Sequence, residues 1–515
     1  MARHTKRTGR RPFLAGDGEA MSVTTPARPP NSTSGLGSRA AAGAAKTMAG
    51  QGARMVVQFG GIIVLARLLS PEDYGVMAMV TAMVGIGEIL RDFGLSSAAI
   101  QAKTLSAQQR DNLFWVNTGI GLTLGLCVFA GAWSIADFYH EPRLVAVAQV
   151  MSVTFLLSGM NTQYRANLTR ELQFGRLAMS DVAGQTLGLV SGVLAALSGL
   201  GYWSLVIQQV VGSSVGLVVS AIASRWLPGR PRRGVPMRGF LMFGSNLMAS
   251  QMLGYVSQNI GQVVIGYRTG AEALGLYNRA FQLLMMPLNQ INAPATTVAL
   301  PVLSKLQDEP ARYVAFLLRG QTVMVHVVVA VFAFACAQAH PLIVLFLGEQ
   351  WRAAVTIFQV LTVGGIFQVA AYASYWVFLS RGLTRAQLLY SVVARVLIIT
   401  CIFAGSHWGA LGVAAGYALG LALTWPLSTV WVSRVGRAPG LAMFNNGLRA
   451  IIGYGLCALA SWYASHLWGH TPVMELVVGL PVILAAFCVV CLVWPAFRRD
   501  VRTILHSKEL LQRRG

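Results

Sequence analysis

Gln51, Arg54 and Gln58 are spaced i, i+3 and i+7, which puts two amides and a guanidinium along one stripe of a helix. They lie in an apolar run from about 46 to 69. Arg54 falls ~12 Å past Lys46 at 1.5 Å per residue, well toward the centre of a ~30 Å hydrocarbon core. Ionisable groups at that depth face a cavity or a partner, because lipid cannot solvate them. A guanidinium held there can attract a phosphate. Glu88, ~20 Å down the following run from Gly75, reaches about the same depth. Arg54 therefore has two readings. It is an anion-binding group on a substrate path, or it is half of a structural ion pair with Glu88, the amides being interhelical glue. Glu88, Arg91 and Asp92, at i, i+3 and i+4, form either an inner gate or a solvated helix end.

A second polar stripe, Gln251, Tyr255, Gln258 and Gln262 with Asn259 alongside, occupies a later run. The run after it carries Gln282, Asn289 and Asn292 near Pro287 and Pro294, prolines that can open a helix and free carbonyls. The two stripes correspond. A shift of 200 residues lays Gln51, Gln58, Gly61, Glu72 and Gly75 on Gln251, Gln258, Gly261, Glu272 and Gly275. Met48, Ala49, Val56 and Val64 also match Met248, Ala249, Val256 and Val264. One polar stripe from each copy is what a water-filled central cavity needs. Arg395, ~14 Å into a later run, has no evident partner, and a structural or snorkelling role suits it as well as a functional one.

These stripes need long helices to hold them. Of 515 residues, 55% are hydrophobic and 11% charged, and apolar runs of about 20 residues recur from 46 to 495. Lipid offers no hydrogen-bond partner to a backbone, so the pattern predicts an all-α polytopic membrane protein of about fourteen transmembrane helices. The expected organisation is a disordered basic tail (1–45), an N-lobe of six helices (46–224), a linker (225–239), a C-lobe of six helices (240–432), helices thirteen and fourteen (433–495) and a basic tail (496–515). Lys and Arg alternate by loop; with the N-terminus inside, only Arg67, Arg143, Arg268, Arg279 and Arg352 fall outside. Both termini are then cytoplasmic. Six helices per lobe make both copies start inside, so the lobes are related by an axis along the membrane normal. Gly409, Gly412, Gly416 and Gly420 give the twelfth span a small-residue stripe for close packing.

Other features do not carry chemistry. The net charge of +22 follows the loops, which explains it without nucleic acid. The six cysteines all sit in apolar runs, and Cys488 and Cys491 lack a second pair. Glu72-Asp73 is better explained by turn chemistry than by catalysis, and His466 with His470 by an interfacial girdle than by a metal. No cofactor motif or phosphate-binding loop is present; the coupling cation, if one is used, is left open. Arg10-Arg11 lacks the apolar core of an export signal, and Met21 is an alternative start.

The run Ala66 to Gly75, then Arg91-Asp92-Phe93-Gly94-Leu95 and Ala99-Ile100-Gln101, resembles the Wzx-like polysaccharide transporters. So do Leu172-Gln173-Phe174, Gly275-Leu276-Tyr277-Asn278-Arg279-Ala280 and Gly348-Glu349-Gln350-Trp351. These flippases belong to the multidrug/oligosaccharidyl-lipid/polysaccharide exporter superfamily. The resemblance covers about residues 45–440. It implies alternating access of two lobes and passage of a polyprenyl-diphosphate-linked oligosaccharide from inner to outer leaflet of a bacterial cytoplasmic membrane. The product is a surface polysaccharide such as exopolysaccharide, lipopolysaccharide or teichuronic acid; the partners are membrane lipids, a polymerase and glycosyltransferases. Cationic cavity residues of the family meet the diphosphate or acidic sugars, which fits Arg54. Many relatives carry an acidic residue after the Asn-aliphatic pair of the seventh span, where Gly261 follows Asn259-Ile260 here. The rival expectations are a cation-coupled multidrug exporter of the same superfamily and a membrane glycosyltransferase or ligase.

Overall fold

A computed structural model of the chain describes residues 55–92, 105–232 and 238–512, with Gly52, Ala99 and Gly234. Gln51 and Arg54 lie outside the described residues. So do the side chains of Glu88, Arg91, Asp92, Gln251 and Gln258, although their backbones are helical.

The N-lobe consists of α1 (Met55–Leu68), α2 (Pro71–Asp92), α3 (Ala107–Tyr139), α4 (Leu144–Arg170), α5 (Phe174–Leu197) and α6 (Trp203–Ser224). The C-lobe opens with α7 (238–269) and α8 (271–305), then α9 (Pro310–Ala337), a short α10 (Ala339–Leu347), α11 (Ala354–Ser380), α12 (Thr384–Gly405) and α13 (Gly409–Gly436). After it come α14 (Gly440–Trp468), α15 (Pro472–Val493) and α16 (Pro495–Gln512). Leaving out α10 and α16, fourteen rods make an all-α bundle, with no strand among the described residues. Eight segments among those residues are long and apolar enough to span a membrane on length and composition.

Local chemistry sets the ends. Ser106 caps α3 in a reciprocal box with Gln109, and Asp73 accepts from the backbone nitrogen (2.9 Å) and hydroxyl (2.7 Å) of Ser70 at the start of α2. Glu72 and Asp73 thus serve a helix start. Gly270 at φ 83° separates α7 from α8, a backbone that glycine adopts without strain. Pro287, Pro294 and Pro301 leave α8 helical, so the expected opening at the first two is not seen. A break at Gln338 separates α9 from α10. The expected basic tail after 495 is helical to Gln512; its Phe497 is fully buried, and Asp500 accepts from Arg449 Nε at 2.8 Å.

The repeat is visible where the lobes meet. A Cβ on Gly75 would strike the carbonyl of Ala271, and a Cβ on Gly275 would strike that of Pro71. The 200-residue shift relates both pairs, so the contact is reciprocal, as a two-fold axis along α2 and α8 requires. Later turns match as well: Leu172 (φ 55°) and Gly382 (φ 66°) precede α5 and α12, and Arg225 (φ 48°) and Arg437 (φ 46°) end α6 and α13. Three of the four stripe glycines pack on α12: Cβ atoms on Gly412 and Gly416 would strike the carbonyls of Gly405 and Cys401, and one on Gly420 would come within 2.8 Å of Ile398 Cα, whereas Gly409 (φ 68°) lies at the turn before them.

The ends of the lobes on the charge-derived outer side are tied together. Gln350 Nε2 donates to the carbonyls of Ala66 (2.6 Å) and Leu69 (2.9 Å), and Trp351 Nε1 donates to Ala66 (2.8 Å). Trp351 also meets Tyr74 edge-on, with centroids 5.4 Å apart. On the opposite side the linker is strapped to α3. Asn112 both accepts from the Arg232 backbone nitrogen (2.9 Å) and donates to its carbonyl (2.8 Å).

Candidate functional site

The larger cavity, about 500 Å³, lies in the N-lobe and is closed on one side by α8. Gln58 of α1, Asn161 and Arg165 of α4, Asp181 and Gln185 of α5, and Gln208 of α6 supply its polar groups. Asn278, Arg279 and Gln282 of α8 complete it. The α5–α6 wall is thin because glycines face each other: a Cβ on Gly188 would come within 2.7 Å of the Gln208 carbonyl. Arg165 forms a two-pronged ion pair with Asp181, which bridges α4 and α5.

Arg279 corrects the sequence reading. It was expected in an outer loop, but α8 already begins at 271, so Arg279 sits ~12 Å into a helix and is only 6% exposed. Its guanidinium lies 3.6 Å from the Tyr74 ring centroid, a cation–π contact across the lobe boundary. Nη1 donates to Gln282 Oε1 at 2.5 Å, while Nε is buried with no acceptor. Gln185 Oε1 and Asn161 Oδ1 are likewise buried without a donor. A buried cation and amides with open hydrogen-bonding capacity have the chemistry to take an anionic, hydroxyl-rich ligand. Arg165, expected in an inner loop, is also a cavity residue on α4.

Of the other expected residues, Gln58 lines this cavity. Asn259 and Gln262 instead join α7 to α8: Gln262 donates to Asn259 at 3.1 Å and accepts from Asn278 at 2.8 Å, while Asn259 donates to the Tyr255 carbonyl at 3.0 Å. Only the Asn278–Gln262 bond crosses between helices; the other two lie within α7. Asn289 is exposed and Asn292 half-buried, its Oδ1 without a donor.

A smaller cavity, about 320 Å³, occupies the C-lobe between α11 and α12, floored by α13. Arg395 lines it with Gln368, Tyr372, Tyr375, Tyr390 and Tyr417. Sequence spacing gave no reason to group these rings, since tyrosines at helical spacing read as core.

Two lobes about a pseudo-two-fold axis, each holding a cavity among its helices, define a polytopic transporter. The model of the polysaccharide biosynthesis protein family matches residues 64–356, and the chain belongs to that family. It is similar to the lipopolysaccharide biosynthesis protein WzxC of Escherichia coli K12, 24% identical over 368 residues covering 69% of this chain and 73% of that protein. The teichuronic acid biosynthesis protein TuaB of Bacillus subtilis is 28% identical over 328 residues, 63% of this chain and 68% of that one. Among solved structures, the lipid II flippase MurJ in an inward closed conformation superposes with a TM-score of 0.69 at 14% identity, covering 88% of this chain and 99% of MurJ. An inward-facing multidrug transporter of the MATE family gives 0.59 at 16% identity over 76% and 96%. These likenesses fix the fold: it is that of the superfamily expected from the motifs.

Proposed function

We propose that this chain is a flippase that carries a polyprenyl-diphosphate-linked oligosaccharide across the bacterial cytoplasmic membrane for surface polysaccharide synthesis, by alternating access of its lobes. The single observation that carries the reading is Arg279: a guanidinium 6% exposed, held over Tyr74, with a buried Nε lacking an acceptor in a cavity of amides. A buried donor without a partner costs about 1–3 kcal/mol, which an anionic group of the substrate recovers. Family membership and the relatives' names supply the substrate class. Arg54 and Gln51, outside the described residues, keep their proposed substrate-binding roles together with Gln58. Both termini are proposed to be cytoplasmic; glycosyltransferases build the unit on that side and a polymerase receives it on the other.

Deleting the gene and locating the lipid-linked units by leaflet tests the reading. Units confined to the cytoplasmic leaflet, cleared by wild type and not by Arg279→Gln at equal expression, are the expected result. Normal intermediates with altered drug sensitivity would overturn it in favour of an exporter, and units on the outer leaflet in favour of a polymerase or ligase.

A further inference from the structure

Tyr74 of α2 is held between two side chains of the other lobe. The Arg279 guanidinium of α8 lies 3.6 Å from its ring centroid, and both residues line the N-lobe cavity. Trp351, fully buried in the turn between α10 and α11, meets the same ring edge-on at 5.4 Å. Trp351 belongs to the outer seal. Its Nε1 donates to the Ala66 carbonyl beside Gln350, and Arg67 of α1 donates to the carbonyls of Leu345 and Phe346 in α10. One ring of the N-lobe therefore touches the cation of the cavity and the seal at once. Its contacts are those of an aromatic ring alone: Tyr74 is buried, and its hydroxyl has no hydrogen-bond partner.

A ring holds a guanidinium by electrostatic attraction to its quadrupole, so neutralising the guanidinium weakens the contact. An anion at the open Nε edge of Arg279 does that. A ligand shifts a conformational equilibrium only through an interaction that differs between the two states. Here the charge of Arg279 serves Tyr74 while the cavity is empty and serves the anion when it is filled.

We propose that Tyr74 is the positioning residue that couples occupancy of the N-lobe cavity to the outer seal: an anion at Arg279 releases the ring, Trp351 loses its brace, and the lobes part on the outer side. The inference rests on the flippase reading and adds to it the step by which a bound unit opens its way out. Coupling of this kind is reciprocal. Removing the ring should both open the seal and tighten the anion, whereas loss of a merely structural tyrosine would leave anion binding unchanged or weaker.

The test uses the purified full-length protein in lipid nanodiscs, inorganic diphosphate as the probe, and spin labels on the exposed Leu68 and Phe346, one on each side of the seal. Wild type should bind diphosphate and, at saturation, enlarge its long-distance population about threefold or more. Tyr74→Leu should show that population without ligand, gain nothing further from diphosphate, and bind it about threefold more tightly. Tyr74→Phe should match wild type in both readouts, because the hydroxyl has no partner to lose. Diphosphate binding to wild type without any change in distance would overturn the coupling and leave the anion site standing. So would a Tyr74→Leu protein that still opens on diphosphate or binds it no more tightly. Absence of diphosphate binding to wild type would instead overturn the Arg279 reading, and the coupling with it.

Discussion

The two cavities occupy matching places in the two lobes and are built of different chemistry. α5 and α12 begin at Phe174 and Thr384, and α4 and α11 end at Arg170 and Ser380. Counted from those ends, Arg165 corresponds to Tyr375, Asp181 to Ser391 and Gln185 to Arg395. The N-lobe spans its α4–α5 cleft with an ion pair and leaves an unbonded amide deeper in. The C-lobe places a ring and a hydroxyl where the ion pair would be and moves the cation to the amide's position. Duplication conserved the groove and diverged its lining. The backbone symmetry needed for rocking motion is therefore separable from the asymmetry needed to hold a substrate with unlike ends.

Exchanging the diverged position breaks that asymmetry most directly. Gln185→Arg combined with Arg395→Gln leaves the number of charges unchanged and moves one between lobes. Transport should fall at least 100-fold, read by leaflet-resolved accumulation of the lipid-linked unit, with expression unaltered. Wild-type transport by the exchanged protein would mean that the cavities are interchangeable.

The conserved half of the comparison predicts equal effects instead. Gly75 and Gly275 meet each other's lobes reciprocally, so Gly75→Ala and Gly275→Ala should each force α2 and α8 apart. Overpacking of this kind costs about 1–3 kcal/mol, enough to shift a two-state equilibrium about tenfold. Spin labels on the exposed Leu200 and Trp408, one in each lobe, should report a longer distance in both variants by similar amounts. A large effect from one glycine alone would show that the axis does not govern closure.

The symmetric features were legible in the sequence and the asymmetric ones were not, for a physical reason. The 200-residue shift and the Gly409 to Gly420 stripe are backbone constraints, and backbone constraints leave fixed residue types at fixed spacings. Arg279 was misplaced because a charge between two apolar runs reads as a loop; its solvation by Tyr74, from the other lobe, has no local signal. Asn259 and Gln262 were read as cavity residues, and their bond to each other and that of Gln262 to Asn278 are visible only in the fold. The four tyrosines around Arg395 come from three helices and could not be assembled without the fold.

Rewriting the N-lobe ion pair in C-lobe chemistry has a smaller effect. Arg165→Tyr with Asp181→Ser removes the bridge across α4 and α5. The side chains are 36% and 21% exposed, so water screens the pair and its contribution is about 1 kcal/mol or less. Thermal unfolding of the purified protein should shift by only a few degrees. Transport should fall severalfold, because the cleft loses a cation as well as its strap. An unchanged transport rate would confine Arg165 to a structural role.

The smallest effect is expected outside the cavities, at an acidic latch of the N-lobe. Arg143 donates to Glu141 through Nε at 2.8 Å and to Glu72 at 2.6 Å, joining the α3–α4 turn to the start of α2. The Arg143 guanidinium holds the Glu141 carboxyl below its usual range, outweighing the opposing effect of partial burial. Because the native value is depressed, the pair stabilises this end of the folded N-lobe above the ordinary carboxylate range. That contribution is lost as pH falls through the depressed value. Arg143 is 38% exposed, so the stabilisation is about 0.5 kcal/mol. Hydrogen exchange at residues 137–147 should therefore be flat from pH 8 to about 5, after correction for intrinsic rates, and rise below pH 4. Glu141→Gln should remove the acid step without touching the Leu200–Trp408 distance at neutral pH. A step that persists in Glu141→Gln would assign the acid sensitivity to Glu72 or another carboxylate.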